Sequence, residues 1–305
     1  MKRNEEVWGW MLALDFFFAG MGGGMLVISG LVDLFIGQGG TSLLGNFAGP
    51  VFIGLGAIFL ILELGRPLQA WRVFLKPNAI LTIGAWTMLL AIVCGIIHAS
   101  FGIEDMPWSD LVLLRQIFAA ACVLAGLVVA TYPGLLLGTN KARPFWSGPG
   151  VIGLFTTSSL ITGLAAHSLS GSIWPSISDE VLANLHWLLA GFLGLQLLLW
   201  IGYIWVKFSG ATIRETKTAE LWMKGSQALT FWGGFIFVGT VLPLVLLLLQ
   251  GAFAWALGDA LALLGGALMR WMVVQSGEER TWLPGEEVYR AGLPHGDEAF
   301  LQAWD

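Results

Sequence analysis

Three residues able to hold or move a proton stand inside or at the ends of apolar runs: Asp15 in "LALDFFFAG", Glu63 in "LILELGRP" and Tyr132 in "VVATYPG". An ionisable group in a stretch fit to lie in lipid is costly, and it marks a functional candidate by default. Asp15 lies about eight residues into the first run, roughly 12 Å from its end at 1.5 Å per residue. Glu63 ends the second run, and Tyr132 is about one and a half turns from the end of the fourth. With runs alternating in direction, all three lie toward one side and can line a single pocket between runs 1, 2 and 4. Each has a plainer reading as well. Asp15 could hydrogen-bond a neighbouring helix, Tyr132 could belong to an interfacial aromatic belt, and Glu63 could pair with Arg66 to lock the loop.

The remaining chemistry-bearing residues point elsewhere. His98, His167 and His186 fall near the opposite ends of runs 3, 5 and 6. Two facing imidazoles can hold a b-type haem. These three sit near the water boundary without a partner at helical spacing, so they read as polar helix ends, with haem as the weaker alternative. Asp33 and Asp259 lie on that same side, where hydration is expected to keep their cost small. His295 belongs to a polar tail. Cys94 and Cys122 lie alone in apolar runs and read as small packing residues, too few for a four-cysteine site. No HExxH, GxSxG or Walker pattern occurs, and "GMGGG" is buried in a run, so no metal cofactor of the chain's own is expected.

The elements that position these residues follow from composition. Of 305 residues, 56% are hydrophobic and 11% charged, and the mean hydropathy is +0.77. A soluble domain carries about 25% charged residues, so the bilayer must be the solvent. Crossing its ~30 Å core takes about 20 apolar residues. Eight runs qualify: roughly 7–36, 44–64, 78–101, 109–138, 149–170, 181–207, 225–250 and 252–275. Open sheet edges are excluded from lipid, which makes the fold an all-α integral membrane protein. Gly20 and Gly24 have the spacing for close helix contact, and Pro243 is expected to kink the seventh helix. Residues 276–305 read as an extramembrane tail. The first run is too long for a signal peptide and lacks a cleavage-type ending, so it reads as a retained helix.

Lysine and arginine give the orientation. Lys2, Arg3, Arg66, Arg72, Lys76, Lys141, Arg143, Lys207, Arg214, Lys217, Lys224, Arg270, Arg280 and Arg290 all fall on the Asp15 side, and Arg115 is the exception. That side, with both termini, is expected to be cytoplasmic.

"ELGRPLQAWRVFLKP" (Glu63 to Pro77) followed by "GAW" (Gly84 to Trp86) resembles a signature of the NrfD/PsrC family of polysulfide-reductase-like membrane subunits. "YPGLLLGTNKARPFW" (Tyr132 to Trp146) is similar to a second family run, and the "LDFFFAGMGGG" stretch of the first helix to a third. The resemblance implies a quinone-reactive membrane anchor built as two four-helix bundles, here residues 1–138 with the quinone site and residues 139–275. It implies menaquinone or ubiquinone as the bound substrate. It also implies an iron–sulfur, ferredoxin-like partner and a catalytic subunit, in some relatives a molybdopterin protein. No nucleic-acid partner is expected. By position, Tyr132 matches the tyrosine that hydrogen-bonds the quinone, and Asp15 stands where relatives often carry histidine. Pro133 replaces a threonine, which removes a backbone donor beside Tyr132. In this reading Tyr132 holds one quinol oxygen, Asp15 takes its proton, Glu63 relays it and Arg66 orients Glu63 or steadies the partner. The family also implies an iron–sulfur partner docked beside this pocket, in several relatives on the outer face, whereas the basic residues place the pocket inside. Two further readings are a proton-translocating element, with Asp15 on one side and Asp33 and Asp259 on the other, and a solute transporter.

Overall fold

The computed structural model describes residues 9–276, apart from 38–39, 64–66, 76–79, 140–144, 147, 149, 175–176, 210–212 and 250. All regular structure in them is helical, and eight helices are long and apolar enough to cross a membrane. These are α1 (Trp10–Phe35), α2 (Leu43–Glu63), α3 (Ile80–Ser100), α4 (Val112–Gly138), α5 (Gly150–Ile173), α6 (Asp179–Phe208), a composite seventh span (Leu229–Leu248) and α9 (Ala252–Gln275). Between α6 and the seventh span lies a short helix, α7 (Ile213–Met223). The tail beyond Ser276, with His295, Arg280 and Arg290, is outside the described residues.

The seventh span departs from the simple kink expected at Pro243. Leu229–Val241 is a π-helix, and α8 (Leu242–Leu248) continues it as an α-helix, with Pro243 in its first turn. Thr240 Oγ1 donates to Phe235 O, five residues back, and accepts from Gln196 Nε2 of α6 at 3.1 Å. Proline has no N–H to give, so it is tolerated at a helix start. The wide turn therefore lies before Pro243, where a polar partner from α6 meets it.

Helices α1 and α5 occupy the centre. Helix α1 packs on α2, α4, α5 and α9, and α5 packs on α1, α4, α6 and α9. Glycine makes these approaches possible, since small residues let backbones come close in lipid. A Cβ at Gly24 would overlap the backbone of Ser159, and one at Gly163 would overlap Gly24. Gly22 likewise faces Gly49 of α2, and Gly23 faces Gly126 of α4. Tight glycine contacts thus bring α2, α4 and α5 against α1 and fix the depth of every side chain α1 carries.

Arg270 ties three spans together from inside. It is fully buried in α9, not at the membrane surface where its place in the basic count put it. Its Nε donates to Phe16 O at 2.9 Å, Nη1 to Ser158 Oγ and Gly266 O, each at 2.9 Å, and Nη2 to Ser159 Oγ at 3.0 Å. The rings of Phe17 and Phe155 flank the guanidinium at 5.8 and 5.9 Å. Lys207 is also buried, over the Tyr203 ring. The basic residues that argue for orientation are therefore fewer than the sequence count suggests.

Candidate functional site

Asp15 is reached first. It lies one and a half turns into α1 with no exposed surface, and neither carboxylate oxygen has a hydrogen-bond partner among the described residues. Gly56 of α2 lets that helix close on the Asp15 backbone carbonyl and on Ala19. Among the described residues the carboxylate makes no hydrogen bond to a neighbouring helix, the plainer expectation for Asp15.

Tyr132 approaches from α4. Its ring is buried and its hydroxyl also has no partner among the described residues. Gly84 of α3, the glycine of "GAW", lies against the ring face, and a Cβ there would overlap it. The motif's glycine thus has a physical reason: it leaves room for the tyrosine. Asp15 lies within electrostatic reach of both Tyr132 and Glu63.

Glu63, at the end of α2, accepts a hydrogen bond from Gly9 N at 3.0 Å. An acid at a helix N-terminus satisfies an orphan N–H and meets the positive end of the helix dipole. Arg66, its expected partner, is outside the described residues. After it, Pro67–Leu75 forms a 3-10 helix with no buried residue. Thr82 Oγ1 of α3 donates to Val73 O at 2.6 Å, and Phe74 meets Trp86 edge-on at 5.2 Å. The loop is thereby pinned to α3, while Leu68 (93% exposed), Trp71 and Leu75 point away from the protein. Asp15, Glu63 and Tyr132 thus lie at one end of α1, α2 and α4, as the alternating spans required.

The "PFW" end of the second motif does different work. Trp146 is fully buried and its Nε1 donates to Val273 O of α9 at 2.7 Å. Phe145 O accepts from the Tyr203 hydroxyl of α6. These residues fix the connection between α4 and α5 to later spans, in the core cluster that also holds Leu12, Ala13 and Phe16 of α1.

A second polar constellation sits at the opposite end and was not foreseen. Asp33 is buried, not hydrated. His98 Nε2 donates to its Oδ2 at 3.0 Å, and Arg115 Nε lies 3.2 Å from its Oδ1. This triad lines a cavity of about 570 Å³, together with Thr41, Asn46, Glu104 and Asp110. Asp259 is equally buried. It accepts from His186 Nε2 at 3.2 Å, and Trp255 stacks on that imidazole. His167 Nε2 donates to Met25 O at 2.9 Å. All three histidines are interior residues, and each spends Nε2 on a hydrogen bond within the protein. The missed signal was depth: Asp33 and His98 each lie near the far end of a span that runs the same way, so they meet. Cys94 and Cys122 are buried in the α3–α4 packing with free thiols, as read from sequence. Among the described residues no group of three or more acids, histidines or cysteines is arranged to hold a metal.

The polysulphide reductase NrfD family model matches residues 1–280. The protein belongs to this family. It is 25% identical over 307 residues to a polysulfide reductase chain from Wolinella succinogenes, covering 91% of this sequence and 96% of that one. It is 22% identical over 318 residues to a selenate reductase subunit from Mesobacillus selenatarsenatis, covering 88% and 73%. A shorter match, 22% over 191 residues, joins it to protein NrfD of Escherichia coli, covering 55% and 60%. With eight spans and this membership, the protein is a multi-pass membrane subunit of the kind found in oxidoreductase complexes.

Proposed function

We propose that this subunit exchanges electrons between a membrane quinone and an iron–sulfur partner, at a pocket formed by Asp15, Tyr132 and Glu63. The observation that carries the reading is the pair of buried polar groups left without partners on α1 and α4. A buried unpaired polar group costs about 1–3 kcal/mol, so two at one depth call for a ligand with two hydrogen-bonding oxygens. A quinone headgroup is such a ligand, and the residues present fit it. Bound there, it supplies two-electron chemistry with two protons. The Tyr132 hydroxyl holds one oxygen by a hydrogen bond. Asp15 takes or returns a proton, and Glu63, half-buried between Asp15 and the loop, hands it to the surface. The exposed Leu68, Trp71 and Leu75 of the loop after Glu63 offer an apolar landing for the partner. The relatives named for polysulfide and selenate reduction are each named as one part of a reductase, which supports a catalytic subunit beyond the iron–sulfur one. We place the quinone pocket in the half made by α1 to α4, residues 1–138, and assign the second half, residues 139–275, to support.

The test is quinol-linked turnover of the assembled complex. Tyr132→Phe should slow it about tenfold, the worth of one hydrogen bond, and Asp15→Asn about a hundredfold, as loss of a proton acceptor does. Both variants should assemble with full iron–sulfur content. Turnover at the wild-type rate in both would remove this pocket from the reaction.

A second reading, proton exchange with the opposite face, is favoured by the Asp33–His98–Arg115 triad. Its cavity is roomy enough for water, and Glu104 and Asp110 contribute acids to its lining. His98→Gln keeps the Asp33–Arg115 pair. In vesicles it should abolish the pH change on the Asp33 side while quinol turnover in detergent persists. An unaltered pH change would leave the triad a structural tie.

A further inference from the structure

At the Glu63 end of the molecule, α6 and the π-helical span diverge around an apolar groove of about 550 Å³. Trp200, Ile201, Trp205 and Phe208 of α6 form one wall, and Trp232 and Ile236 of the seventh span the other. Trp200 joins Trp222, Phe231 and Phe235 in an aromatic cluster of tilted and edge-on rings, with centroids 5.3–6.1 Å apart in successive pairs. Trp205 (73% exposed), Ile201 and Trp232 face outward. The mouth is made by Ser209 and Met223, where α6 ends and α7 returns. There Trp232 Nε1 donates to Met223 O at 3.2 Å.

The groove's length selects its occupant. From Leu197 to Phe208 it runs eleven residues of helix, about 16 Å, which is half of the ~30 Å hydrocarbon core. A partner's transmembrane helix would need a groove through both leaflets. A phospholipid acyl chain needs one. The mouth then selects the headgroup. Lys224, next to Met223, is exposed there, with Glu220 one turn before it. Basic residues at a membrane surface attract anionic lipid by about 1 kcal/mol each. Ser209, also exposed, can donate to a phosphate or glycerol oxygen.

We infer that this groove is a site for one anionic phospholipid. An acyl chain lies along α6 and the π-helix, and the headgroup sits between Ser209 and Lys224. The site is independent of the quinone pocket, which involves α1, α2 and α4.

The experiment uses the protein purified in detergent with whatever subunits accompany it, stripped of lipid. It is reloaded with equimolar phosphatidylglycerol and phosphatidylcholine, and retained lipid is counted by native mass spectrometry. Wild type should keep phosphatidylglycerol about fivefold over phosphatidylcholine, the ratio one lysine at the mouth provides at ~1 kcal/mol. Lys224→Glu should abolish that preference without reducing total lipid. Ile201→Trp, which fills the groove from an exposed position, should lower retention of both. Equal retention of the two lipids by wild type, or a preference untouched by Lys224→Glu, would overturn the assignment. So would recovery of quinone in place of phospholipid, since the buried Trp200 Nε1 has no acceptor among the described residues and a quinone oxygen could supply one.

Discussion

Asp15 and Tyr132 are expensive residues where they stand. Each buries a polar group with no partner among the described residues, and each could be removed without breaking a hydrogen bond among those residues. Tyr132→Phe should therefore leave the melting temperature unchanged or raised even as it slows turnover, the trade expected of a site kept for function. A fall in melting temperature would instead mark the hydroxyl as structural. Gly84 gives a complementary prediction. Alanine there meets the flat, rigid ring of Tyr132, and overpacking of this kind costs about 1–3 kcal/mol. Gly84→Ala should lower both stability and quinol-linked turnover, and adding Tyr132→Phe should not restore either, because the ring remains. Asp15, Glu63 and Tyr132 could be found from sequence because each breaks an apolar run. The role of Gly84 could be read only as a motif, since its partner ring comes from another span. Asp33, His98, His186 and Asp259 were misjudged for a related reason. Their partners are 65 to 73 residues away, so a residue that looks like a wet helix end is half of a buried hydrogen-bonded pair.

At the scale of elements, hydropathy placed all eight spans within about four residues of where they lie, because spanning lipid demands length and apolarity together. The π-helix was not visible. It comes with a polar contact between Gln196 and Thr240 that no local pattern announces. Helix α7 was hidden as well, since eleven mostly polar residues between two long spans read as loop. Arg270 shows how a charge can serve packing. It serves α1, α5 and α9 with a planar fork of donors, and its acceptors are carbonyls and serine hydroxyls, all neutral. Lysine would keep the cost of a buried cation but gather its donors at one point. Methionine would remove the cation, leaving helical carbonyls and serines that can bond within their own helices. Thermal unfolding should rank wild type first, Arg270→Met second and Arg270→Lys last. The reverse order of the two variants would mean that the charge itself, and not its geometry, stabilises the contact.

For the whole molecule, the two ends differ in character. One end carries Asp15, Tyr132, Glu63 and the exposed 3-10 loop; the other carries the Asp33 triad and its cavity. The opposition suits a subunit that handles electrons at one face and keeps a separate polar site at the other. Titration of the purified complex with a water-soluble menaquinone analogue tests the central claim most directly. Wild type and His98→Gln should bind it with equal affinity, and Tyr132→Phe should bind it about tenfold more weakly. Equal binding by Tyr132→Phe would contradict the account, and weakened binding by His98→Gln alone would place the quinone at the Asp33 end.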